Sequence, residues 1–284
     1  MFIRHLLLKQ FVYLTKQLHS KFDKIYKNQL LYKKIPNKYK EILNRNLQFK
    51  NLHLHKRALV VVNGPSINTQ RLEKFENDII FSVNAFYKHK NISKLQPKYN
   101  FLLDSNLFNN ETIKSSLFYD ELLNTLPNTI FFLPLFRGYK SVIKNNILPI
   151  NKTFFTAMGG DENGELDFTS IIPSFHGVGA YALSAAIYMG CNPIYLVGFD
   201  HDYLANRGKD HHFYQGSTVS IDNKQVLTLG DRIPYDDEML SNYYLWQNYR
   251  YLLKIACKKG INVFNATNGG YLDIFDRYDF DKIS

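Results

Sequence analysis

The chain has 284 residues, 45% of them hydrophobic and 21% charged, with 35 Lys and Arg against 25 Asp and Glu for a formal charge of +10. These proportions exclude a disordered chain and leave enough apolar material for a sizeable core. No apolar run approaches the ~20 residues of a membrane-spanning helix, and the two cysteines, Cys191 and Cys257, lie far apart, which excludes a disulfide framework and suits a reducing cytoplasm.

The charge is lopsided. Residues 1–57 carry 14 of the basic side chains and only two acidic ones, Asp23 and Glu41, so the remainder is close to neutral. In this segment Phe2, Ile3, Leu6, Leu7, Phe11, Leu14 and Leu18 recur at helical spacing, and Ile25, Leu30, Leu31, Tyr32 and Ile35 continue a weaker stripe up to Pro36. Arg4 and Lys9 interrupt the apolar residues and no small-residue cleavage site follows, so the start does not read as a secretory signal. A basic amphipathic helix suits an anionic membrane surface, at ~1 kcal/mol per Lys or Arg near the lipid. The competing reading is a helix pair packed on the domain or in a homo-oligomer interface. Nucleic acid is not an expected partner. The expected organisation is a basic amphipathic helical extension over residues 1–57 and an α/β domain over residues 58–284.

From Ala58 the pattern becomes one of strands alternating with helices. Ala58 to Val62 is a β-branched run ending in Asn63-Gly64-Pro65-Ser66, a buried strand and a tight turn. Ile67 to Phe75 reads as helix, and Ile79 to Val83 as a strand ending at Asn84. Tyr99 to Leu103 is a third strand, ending at Asp104, and Thr129 to Leu133 a fourth. Val178 to Met189 is an Ala-rich helix, and Pro193 to Val197 a fifth strand followed by Gly198-Phe199-Asp200. Leu240 to Lys259 is a long helix, and Ile261 to Phe264 a last strand ending at Asn265. This rhythm predicts a single Rossmann-like α/β domain with a mostly parallel sheet.

Ligands of open α/β sheets bind beyond the carboxyl ends of the strands. There this sequence places Asn63, Ser66, Asn84, Asp104, Asp200 and Asn265, mostly amides and hydroxyls suited to a base, a ribose or a sugar. Gly64 lets backbone approach a ligand, and the amides after Pro65 can hold an anion; the alternative is a purely structural turn. The turn has neither the second glycine nor the Lys-Ser/Thr ending of a Walker A loop. His176-Gly177 precedes the Ala-rich helix, where glycine allows close approach to sheet or ligand. Asp200-His201-Asp202 has the ligand types of a metal site, but neighbours on an extended segment point to opposite faces, so an Asp that bonds backbone or orients a neighbour is preferred. Asp210-His211-His212-Phe213-Tyr214 concentrates the chemistry: an imidazole accepts protons near neutrality, and Tyr203 and Tyr214 can donate to a leaving phosphate. The bland alternative is an aromatic loop. No Gly-x-Ser-x-Gly elbow is present and neither cysteine has a catalytic setting.

Taken in order, Asn63-Gly64-Pro65-Ser66, the strand end at Asn84, the glycine-led Ala-rich helix, Ile194 to Asp200 and the downstream His loop resemble the bacterial sialyltransferases of glycosyltransferase family 42 and the related MptE-like family. The resemblance spans roughly residues 58–275. It implies a lid-like segment at about residues 200–235 and a CMP-activated sugar acid as donor, bound through Asn63, Ser66, Asn84, His176, Gly177, Tyr203 and Tyr214; Gly64, Asp104 and Asp200, read from the turn and the strand ends, complete the expected donor-binding set. His212 matches the family's base, with His211 as substitute. His176 stands where the family carries Ser, and Asp202 rather than Tyr203 lies at the directly aligned tyrosine position.

The expected activity is metal-independent, inverting transfer of a sugar acid to a bacterial surface-glycan or lipid-linked acceptor, with no cofactor, at the inner face of the cell membrane. The alternatives are an MptE-like diphosphokinase using ATP and Mg²⁺, with Asp104, Asp200 and Asp202 as its carboxylates, and a membrane-associated scaffold that binds nucleotide without catalysis.

Overall fold

A computed structural model describes residues 35–108, 117–160, 162, 165–206, 211–214 and 234–283. Its strands are β1 (Ala58–Val61), β2 (Ile79–Val83), β3 (Tyr99–Phe101), β4 (Ile130–Pro134), β5 (Thr153–Gly160), β6 (Ile171–Pro173), β7 (Ile194–Val197), β8 (Val263–Asn265) and β9 (Asp276–Arg277). The α-helices are α1 (Asn37–Asn44), α2 (Ile92–Leu95), α3 (Phe118–Thr125), α4 (Leu135–Asn145), α5 (Val178–Tyr188) and α6 (Tyr235–Lys258). The strands form one sheet in the order β6-β5-β4-β3-β2-β1-β7-β8-β9. Every pairing is parallel.

Strand β1 lies between β2 and β7, and its four residues are wholly buried, which is why they read as an unbroken apolar run rather than an alternation. One sheet face carries Phe81, Tyr99, Phe101 and Phe132 under α5. The Phe101 and Phe132 rings stack at 5.0 Å with 7° between their planes. Every residue of α5 except Val178 is buried, because alanines let this helix lie close to the sheet on one side and to α6 on the other. The opposite face packs Leu102, Phe131, Leu133 and Phe155 against α3 and α4.

The structure departs from the sequence expectation in several places. Residues 67–75 are not one helix but two 3₁₀ turns, Pro65–Thr69 and Leu72–Phe75, separated by an extended Gln70. Side chains cause the break: Thr69 Oγ1 donates to the Ser66 carbonyl at 2.8 Å and Gln70 Nε2 to the Ala266 carbonyl at 2.7 Å. Helix α6 begins at Tyr235 rather than 240, directly after Pro234, with Asp236, Asp237 and Glu238 favourably placed in its first turn. Strands β5, β6 and β9 were not anticipated, since β5 ends in Gly159-Gly160 and the other two are too short to show a period.

Residues 35–57 of the basic extension pack into the domain. Leu43 and Phe49 are buried in the core. Asn46, fully buried, donates from Nδ2 to the carbonyls of Phe155 at 2.7 Å and Phe168 at 2.9 Å. His53 Nε2 meets the Tyr99 hydroxyl at 2.7 Å. The stripe from Phe2 to Leu31 and most of the expected lid lie outside the described residues. Among the described residues no helix is long and apolar enough to cross a membrane. Both cysteines are free, Cys191 buried and Cys257 exposed.

Candidate active site

The sheet order reverses at β1, whose neighbours are β2 on one side and β7 on the other. Connections leave such a point in opposite directions and open a crevice at the strand ends. A cavity of about 360 Å³ lies there, walled by Val62, Val83 and Gly198 at the ends of β1, β2 and β7 and by Ser241, Asn242 and Leu245 of α6.

Two glycines bring the β1 and β7 turns together. The Gly64 N–H donates to the Gly198 carbonyl at 3.1 Å. A Cβ on Gly64 would stand 1.8 Å from Asp200 Oδ2, and one on Gly198, whose φ is +79°, would stand 2.4 Å from the Val62 carbonyl oxygen. Across this contact Ser66 Oγ donates to Asp200 Oδ2 at 2.8 Å. Burial pushes the Asp200 carboxyl above its ordinary range, and the Ser66 hydrogen bond opposes that shift. Ser66 and Asp200 are outside the cavity lining and clamp the two turns to each other.

Asn63 and Asn84 both line the cavity. Each has a buried side-chain oxygen without a hydrogen-bond partner among the described residues, an arrangement that costs stability unless a ligand supplies a donor. Asn84 is held at a φ of +42°, a conformation Asn tolerates, and its carbonyl accepts from Asn100 Nδ2 at 3.4 Å. Asp104 also lines the cavity, as do His176 and Gly177 ahead of α5. The His176 ring stacks on Tyr244 at 4.9 Å, its backbone N–H donates to Asn248 Oδ1 at 2.8 Å, and burial lowers its pKa.

The segment 211–214 docks on the β1 turn: the Phe213 N–H donates to the Asn63 carbonyl at 2.8 Å, and Asn68 Nδ2 to the Phe213 carbonyl at 3.0 Å. This brings His211 and His212 into the cavity wall together with Tyr203. His211 Nδ1 lies 3.7 Å from Asp202 Oδ1, while Asp202 Oδ2 accepts from Asn206 Nδ2 at 2.6 Å. The His212 ring lies 5.2 Å from that of Tyr214. Tyr214 is outside the lining and under the Lys88 ammonium at 5.2 Å. Burial pushes both Tyr203 and Tyr214 up to about 12, so their hydroxyls keep their protons near neutrality.

Sequence reasoning did not place His201, Glu238 or Tyr249 in this cavity, yet all three line it. With Ser241, Asn242 and Leu245, the α6 residues follow i, i+3, i+4, i+7, i+11 spacing, a stripe visible in the sequence once the helix is extended to Tyr235. His201, at a φ of +47°, leaves the extended geometry on which the alternation argument relied. Among the described residues no group of three or more His, Cys, Asp and Glu is placed to hold a metal ion.

A family model described as 6-hydroxymethylpterin diphosphokinase MptE-like matches residues 29–206. The chain belongs to the MptE-like family. No curated protein matches this MptE-like chain. Among solved structures it is similar to the sialyltransferase CST-II in complex with a trisaccharide acceptor and CMP, at 15% identity over 78% of this chain and 85% of that one, with a TM-score of 0.45. A single-substitution variant of CST-II in complex with CMP gives 18% identity, 78% and 85% coverage and a TM-score of 0.45. A further variant, of an alpha-2,3/8-sialyltransferase CstII, gives 16% identity, 78% and 86% coverage and a TM-score of 0.41.

Proposed function

We propose that this MptE-like protein is an inverting glycosyltransferase that moves a sugar acid from a CMP-activated donor to a glycan hydroxyl, with no metal in the chemical step. The observation that carries this reading is the meeting of Asn63, Asn84, His211 and His212 on one cavity at the sheet's reversal point. The amides suit a nucleoside, whose edges offer both donors and acceptors. In the reaction the bond between the anomeric carbon and the phosphate oxygen breaks, and CMP leaves with the electron pair. The acceptor hydroxyl attacks the opposite face, and an imidazole takes its proton. Tyr203 is a protonated hydroxyl in the lining that can stabilise charge growing on the departing phosphate. Asp202 Oδ1 stands 3.7 Å from His211 Nδ1, a contact too long for a hydrogen bond.

The test is transfer from CMP-linked sugar acids together with calorimetric titration of CMP. Replacing the base, His212→Ala or His211→Ala, should lower kcat by 10²- to 10⁴-fold, roughly the worth of a general base, while CMP affinity is retained. Full activity in both variants removes the mechanism.

A diphosphokinase reading is favoured by the family's own description and by the two carboxylates, Asp104 and Glu238, that line the cavity. Mg²⁺ is commonly held by one or two carboxylates plus substrate phosphates, and these two residues would hold it here, neutralising phosphate charge. Diphosphate transfer from ATP that is abolished by EDTA would establish this reading over the first. A non-catalytic scaffold would bind nucleotide equally well after loss of both histidines and transfer nothing in either form. We further propose that the basic residues ahead of the domain hold it on anionic membranes beside lipid-linked acceptors. Co-sedimentation with phosphatidylserine vesicles but not with phosphatidylcholine vesicles tests that step.

A further inference from the structure

His201, which the sequence offered only as a metal ligand, is held in the cavity wall by a hydrogen bond and by aromatic rings. His201 Nε2 lies 2.7 Å from the Tyr249 hydroxyl. Aromatic rings surround the imidazole: Trp246 at 5.5 Å, Phe199 at 5.8 Å and Tyr203 at 6.1 Å between centroids. Its other nitrogen, Nδ1, is buried and has no hydrogen-bond partner among the described residues. Both His201 and Tyr249 line the cavity.

The position of the protons follows from acid–base chemistry. Burial lowers the His201 pKa to about 4, so the ring is neutral near pH 7. Burial raises Tyr249 well above its ordinary value, so the phenol keeps its proton. A phenol is the stronger acid and an imidazole nitrogen the stronger base, so the Tyr249 O–H donates to Nε2. The ring hydrogen is then on Nδ1, a donor that needs an acceptor. Leaving such a donor unsatisfied in a buried wall is costly, and a ligand oxygen is the partner that removes the cost.

We propose that His201 and Tyr249 form a neutral imidazole–phenol dyad whose Nδ1–H binds an anionic phosphate oxygen of the nucleotide in this cavity. The proposal rests on the reading of the cavity as a nucleotide site, but not on which base the nucleotide carries. Tyr249 acts through His201 and is the positioning residue of the pair.

The experiment is calorimetric titration of the full-length protein with two nucleotide–nucleoside pairs, CMP with cytidine and ADP with adenosine. Tyr249→Phe and His201→Phe should weaken the nucleotide about tenfold, the scale of a hydrogen bond to a charged group, and leave the nucleoside unchanged. His201→Asn, whose amide nitrogen stands near the Nδ1 position and whose backbone tolerates positive φ, should keep nucleotide affinity within roughly threefold. Equal losses for nucleotide and nucleoside would show a merely structural role and overturn the dyad, as would unchanged nucleotide affinity in Tyr249→Phe. The same pattern with ADP in place of CMP would sustain the dyad and remove the cytidine reading. A native protein that binds none of the four removes both.

Discussion

The two walls of the cavity are built on different principles. The wall from β1, β2 and α5 follows from apolar runs that stop at a glycine or an asparagine. Its polar groups come from strand ends, and its close contacts need glycine at Gly64 and Gly198. The wall from residues 201–203, 211–212 and α6 is rich in imidazoles and phenols. His201, Tyr203, His211 and Tyr249 are held by rings and side-chain hydrogen bonds rather than by a strand. The first wall suits recognition at fixed positions, and the second suits proton transfer and contact with charge.

The sharpest way to break this contrast is in the first wall. Gly64→Ala puts a methyl group inside the Asp200 carboxylate and against the Gly198 carbonyl, so the two turns must separate. The expected loss is about 3 kcal/mol or more, measured by urea unfolding. Near wild-type stability there would mean that the turns are not clamped.

Acid should act on the scaffold and on the second wall. Burial lowers His53 to about 4, with Lys98 adding to the effect, and burial likewise lowers His201 to about 4. Unfolded, each takes a proton near 6.5, so below that pH the unfolded state binds more protons. The stability they contribute is present above pH 6.5 and is lost as the pH falls towards 4, at up to about 1.4 kcal/mol per unit for each histidine. Urea midpoints between pH 7 and pH 4.5 measure this slope. His53→Gln should remove the His53 share of that slope and leave the His201 share, with CMP affinity unchanged, because His53 belongs to the scaffold and bonds Tyr99.

The smallest effect expected belongs to the amides. Asn63→Ala should weaken CMP about tenfold, one hydrogen bond's worth, without altering transfer from the bound state. A fall in kcat at saturating donor would instead assign Asn63 to the chemistry.

What the sequence disclosed tracks the same division. The first wall was legible, because a buried parallel strand prints its boundaries as β-branched residues followed by Asn63-Gly64 or Gly198. The His211-His212 pair stood out by composition, though only the bond from Phe213 to the Asn63 carbonyl shows why a loop so distant in sequence arrives at the β1 turn. His201 was hidden by its left-handed backbone, and Tyr249 and Glu238 by the early start of α6. Strands β5 and β6 escaped notice because glycine and brevity erase periodicity.

The burial of Asn46 has a practical corollary for shortening the polypeptide. Eight of the basic side chains in the leading stretch precede Ile35, whereas Leu43, Asn46 and Phe49 follow it. Trimming at residue 34 would discard those eight basic side chains and keep Leu43, Asn46 and Phe49. Trimming at residue 57 would strip the Phe155 and Phe168 carbonyls of their amide donor and uncover the aromatic rings of Phe132 and Phe154.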